Sequence, residues 1–72
     1  MEIVPDLAAE ALRQALDKYP QFAGNGPRIA VRQLFQGHAF LLEYDTPPAK
    51  DDPDAWEFQN AAVKAYKRMA GA

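Results

Sequence analysis

The sequence predicts a small α+β domain spanning residues 1–72, a helix–β-hairpin–helix (αββα) with both helices packed on one face of a two-stranded antiparallel sheet. Three observations predict it. Apolar residues recur at helical spacing over residues 6–19 and again from Ala55 to Ala70, they alternate from Arg28 to Asp45, and proline- and glycine-rich stretches separate these blocks. A lone two-stranded hairpin is not stable in water, so the helices must cover one of its faces.

In the first block Ala8, Ala11, Leu12, Ala15, Leu16 and Tyr19 fall on one side of a helical wheel, with Glu10, Arg13, Gln14 and Asp17 opposite. Asp6 supplies an N-cap or a first-turn acid, and Tyr19-Pro20 ends the helix because a residue before proline avoids the α region. Pro20 to Pro27 reads as a loop pinned by Phe22. Alternation then places Ile29, Val31, Phe35, Phe40, Leu42 and Tyr44 on one face of a hairpin. A turn at Gln36-Gly37 pairs Val31 with Leu42 and Arg28 with Asp45, and a turn at Gly37-His38 keeps the same faces. The connector from Thr46 ends in Asp51-Asp52-Pro53-Asp54, a helix-start signal with proline near the first helical position. The last helix centres its apolar stripe on Ala55, Phe58, Ala62, Tyr66 and Met69, and Gly71 supplies its stop.

Composition excludes much chemistry. The chain has 72 residues, no cysteine, no serine, one threonine, one histidine and a net charge of −2. Nucleophilic catalysis normally uses Ser, Cys, Thr or an activated Lys beside a base, and here only Thr46, next to two prolines, and exposed-face lysines are on offer. His38 falls at or beside the hairpin tip with no partner carboxylate nearby in sequence, so it reads as a turn residue. Asp51, Asp52, Asp54 and Glu57 lack the glycine and the final glutamate of a calcium loop and read as caps of the second helix. No cofactor and no metal are therefore expected, and the chain is not expected to be an enzyme. The opening residues lack a basic segment and a long apolar run, which predicts a cytoplasmic protein.

The informative feature is the other face of the hairpin. Alternation puts Ala30, Arg32, Leu34, Ala39 and Leu41 away from the helices, where a solvated face should be polar. Two leucines rimmed by charge have the composition of a contact surface. Trp56, at the margin of the second helix's stripe, joins them as a candidate contact residue. A short chain without disulfides often leans on self-association. The expected function is thus a non-enzymatic protein-binding module, self-associating, acting as an accessory, assembly or inhibitory factor, with a protein partner or a second copy. The alternative is a small nucleic-acid-binding regulator using Arg28, Arg32 and the basic end of the second helix. Against it, no aromatics interleave with the arginines, and Arg28 and Arg32 have local acidic neighbours in Asp45 and Glu43. In topology alone, the element order is similar to that of small phage head-to-tail joining proteins, which implies a phage or mobile-element origin.

Overall fold

A computed structural model describes residues 2–71. Helix α1 runs Pro5–Lys18, a 3-10 segment covers Pro20–Asn25, strands β1 (Arg28–Leu34) and β2 (Gly37–Glu43) form an antiparallel pair, and α2 runs Pro53–Gly71. Both helices contact the hairpin and each other, so the expected α+β arrangement is the observed one. None of the helices is long and apolar enough to cross a membrane.

Pro5 occupies the first turn of α1, where its missing N–H costs nothing, and Asp6 serves as a first-turn acid; Val4, without a side-chain bond, is the N-cap. Tyr19 leaves the helical region at φ −130°, ψ 66°, as the following proline demands. The next six residues wind as a 3-10 helix instead of the expected irregular loop. Short segments of this kind are common as connectors because a proline start and i to i+3 bonds suit them. Phe22 is buried as expected, stacked on Phe58 with ring centroids 4.9 Å apart.

The helices run antiparallel. The Val4 N–H donates to the Tyr66 hydroxyl at 3.1 Å near one end, and the Tyr19 hydroxyl donates to Glu57 Oε2 at 2.9 Å near the other. Their contact is lined by Ala8, Ala11 and Ala15 facing Ala62 and Ala65, all buried. Small side chains let two helices approach closely and leave the larger groups, Phe58, Phe22, Ile29, Leu42 and Tyr66, to fill the space against the hairpin. Leu12, Leu16 and Met69 pack against this core but are only partly buried.

At the start of α2, the Asp54 N–H donates to Asp52 Oδ1 at 3.0 Å, with Pro53 between them as the first helical residue. This is an N-cap bond that satisfies one of the free amides of the first turn. Asp52→Ala is expected to lower stability by about 0.5 to 2 kcal/mol, and Asp52→Asn by much less, since asparagine caps equally well. Urea melts of the three proteins check it; equal midpoints would remove Asp52 from its capping role. At the other end, Gly71 does not stop α2 but continues it. A glycine signals a stop only when the backbone beyond it turns left-handed, and Ala72 lies outside the described residues.

The hairpin keeps its expected faces and differs in register. Leu34 pairs with Gly37, Val31 with Phe40, Ile29 with Leu42 and Arg28 with Glu43, two residues away from the expected pairing. The loop is therefore Phe35-Gln36, followed by Gly37 at φ 134°, a conformation that favours glycine. Phe35, expected on the helix-facing side, is fully exposed at the tip. Below the strands the chain is clasped again: the Thr46 N–H donates to the Asn25 carbonyl at 3.1 Å, and Asn25 Nδ2 donates to the Thr46 carbonyl at 2.7 Å. Gly26 sits in the left-handed region at φ 67°, and a Cβ there would come within 2.9 Å of Asp45 Cγ, so only glycine fits.

Candidate interaction surfaces

The outer face of the hairpin collects the five residues that alternation predicts. Ala30 lies opposite Leu41 and Arg32 opposite Ala39, with Leu34 opposite Gly37, so all five are cross-strand or same-face neighbours. None of them belongs to the core or packs against it. Both helices contact the hairpin, and the opposite face is buried through Ile29 and Leu42, while on this side Ala30, Ala39 and Leu41 are half-buried. Leu34 is half exposed, and Phe35 extends the apolar surface past it.

Charges rim one end of that face. Arg28 Nη1 donates to Asp45 Oδ1 at 2.9 Å, as expected, and its Nε lies 3.8 Å from Glu43. The two-residue shift in register sets Glu43 opposite Arg28, so that Arg28 meets both acids. Such exposed pairs contribute little to stability but fix where the guanidinium lies.

The hydrogen-bond parity of the ladder follows from two contacts. A two-residue loop closes on a hydrogen-bonded pair, Leu34–Gly37, and pairs then alternate, so Ile29–Leu42 is a non-hydrogen-bonded pair whose N–H groups point outwards. In agreement, the Leu42 N–H donates to Gln59 Oε1 of α2 at 3.1 Å. The helix thus blunts that end of the β2 edge.

Trp56 is exposed, at 65 %, and does not lid the core. It lines an open cavity of about 210 Å³ with Tyr44, Pro47, Pro48, Ala55 and Gln59 among others. No outer-face residue lines that cavity, which sets Trp56 apart from the hairpin patch. Burial raises the Tyr44 pKa above the usual phenol value, so its hydroxyl stays protonated at neutral pH.

Several of the remaining polar residues have ordinary partners. Asp54 accepts from Gln21 Nε2 at 3.3 Å, and Glu57 accepts from Tyr19, a bond that together with desolvation raises the Tyr19 pKa. His38 is exposed in β2 opposite Gln33. Among the described residues no three His, Asp or Glu side chains converge as metal ligands would. Arg13 pairs with Glu10 and with Asp17, which holds the Glu10 carboxyl below its usual value, and Lys67 Nζ stands 5.6 Å over the Phe40 ring.

A second feature escaped sequence reasoning. Gln14, Lys18, Lys64 and Arg68 line one groove of about 170 Å³ between α1 and α2, over a floor of Ala15, Ala61 and Ala65. The signal was present as two pairs spaced four apart, Gln14/Lys18 and Lys64/Arg68, but only the antiparallel packing of the helices brings them together. Arg68 Nη2 donates to Gln14 Oε1 at 2.9 Å. Compared with protein families, curated proteins and solved structures, the chain shows no match to any.

Proposed function

We propose that the chain is a non-enzymatic protein-binding module of the cytoplasm that associates with a second copy of itself through the outer face of its hairpin, serving a larger assembly as an accessory or inhibitory factor. Topology supplies the analogy to small phage and mobile-element proteins and nothing finer. The observation that carries the reading is the face itself: an apolar strip outside the core, with Ala30, Ala39 and Leu41 half-buried and Leu34 exposed, running into a fully exposed Phe35. Solvated faces of antiparallel sheets are ordinarily polar, and an apolar strip with a charged rim suits a contact.

A second copy fits because a two-fold axis over the strip sets Leu34 and Leu41 against their symmetry mates. It also brings the unpaired Arg32 of one copy towards the Glu43 and Asp45 carboxylates of the other, giving a rim of complementary charge. Leu34, half exposed in the monomer, would contribute about 1 to 1.5 kcal/mol through apolar area removed from water, and the half-buried Leu41 less. The expected result is a concentration-dependent dimer in sedimentation equilibrium, abolished by Leu34→Glu with Leu41→Glu while the far-UV helical signal is retained. A wild type that stays monomeric at millimolar concentration would overturn the reading. So would a dimer that the double variant leaves intact.

A further inference from the structure

Eight lysines and arginines are distributed over this slightly acidic chain, and three of them, Lys18, Lys64 and Arg68, line one groove between α1 and α2. No carboxylate lines it. None of the three cations takes part in an ion pair among the described residues, whereas Arg13 and Arg28 each bind two acids. The carboxylates on the same stretch of α1, Glu10 and Asp17, are both held by Arg13. Like charges gathered without a counter-charge repel one another, and an anion placed among them relieves that repulsion.

Helix dipoles account for part of the arrangement. Lys18 and Arg68 lie in the last turns of their helices, where cations offset the negative end. Lys64 lies about two turns before the end of α2, and its place opposite Lys18 has no such explanation. The groove is also partly built: the bond from Arg68 to Gln14 Oε1 and the one from Gln14 Nε2 to Glu10 at 3.2 Å orient the amide and hold the guanidinium at the groove wall. Its floor is apolar: Ala61 is half-buried, and Ala15 and Ala65 are buried beneath the groove.

We infer that the groove between α1 and α2 is a binding site for a small organic anion, a single phosphate group carried on a compact apolar body. The phosphate sits among Lys18, Lys64 and Arg68, and the apolar body rests on the three alanines. A groove of about 170 Å³, open on one side to solvent, limits the apolar body to roughly benzene size or less, with the phosphate at its mouth. A nucleic-acid backbone is the poorer fit, because it asks for a row of cations along a surface, and Arg28, the expected member of such a row, is held by Glu43 and Asp45. The site is independent of the hairpin face and stands whether or not the chain dimerises.

Titration of the full chain with phenyl phosphate and with inorganic phosphate, followed by amide NMR at constant ionic strength, tests it. The expected result is saturable shifts confined to the Gln14 side-chain amide and the backbone of Lys18, Ala61, Ala65 and Arg68, with phenyl phosphate binding at least tenfold tighter than inorganic phosphate. Lys64→Glu should weaken binding at least tenfold, and Lys50→Glu, an equal charge change at the Trp56 cavity, should leave it within twofold. The Leu34→Glu, Leu41→Glu variant should bind as the wild type does, which separates this site from the dimer reading. Shifts that do not saturate, equal loss in the Lys64 and Lys50 variants, or tighter binding of a DNA oligonucleotide with shifts spread to Arg28 and Arg32 would each overturn the inference.

Discussion

Phe58→Ala is expected to remove about 3 to 5 kcal/mol of the protein's stability, a large share of the whole. Among the described residues Phe58 is the one large side chain fully removed from water, stacked on Phe22 at 4.9 Å and met edge-on by Tyr19 at 6.2 Å. Removing a buried phenyl ring costs about 3 to 5 kcal/mol, the lost transfer energy plus the cavity left behind. A domain of this length has a total stability of roughly 4 to 11 kcal/mol. Alanine-lined helices cannot easily collapse into the space, because their backbones are already close. Urea denaturation followed by circular dichroism reads the effect, and a loss below about 1 kcal/mol would mean that the ring is not the centre of the core.

Leu42→Ala should cost about 2 to 5 kcal/mol by the same mechanism at the sheet side of the core. Leu42 is buried beside its cross-strand neighbour Ile29, and alanine retains the backbone N–H that donates to Gln59. The variant therefore isolates the side chain from the edge contact. Leu41→Ala, one residue along on the outer face, should cost the monomer less than about 1 kcal/mol. Equal losses at the two positions, measured in urea at concentrations below dimer formation, would show that the faces of the hairpin are not distinguished as described.

The contrast between those two leucines was legible in the sequence because strand alternation has a period of two, and any register that preserves parity preserves the faces. Register itself was not legible. Alternation is blind to a slip of two residues, and both Gln36-Gly37 and the observed Phe35-Gln36 loop satisfy it. A phenylalanine at a turn position argues against the observed loop on composition, yet the positive φ of Gly37 just after it is what the closure requires. The error at Phe35 and the placing of Glu43 opposite Arg28 both follow from that two-residue slip. Helix extents and the role of Asp52 followed from local signals, proline position and side-chain acceptors. The Lys18, Lys64 and Arg68 groove depends on the mutual rotation of two helices, which no local pattern encodes.

The register is selected at the open end of the hairpin. Asn25 and Thr46 bond each other twice over, Arg28 reaches Glu43 and Asp45, and Gly26 admits the Asp45 side chain where any other residue would clash. A ribbon fastened at its base does not depend on its tip for alignment. Phe35 and Gln36 are thus a replaceable cap: lengthening the loop there adds closure entropy that grows only slowly, about 0.6 kcal/mol for each doubling of length. The fold can accordingly carry inserted sequence at this position, displaying it at the far end of a strand pair whose alignment is secured some seven residues away.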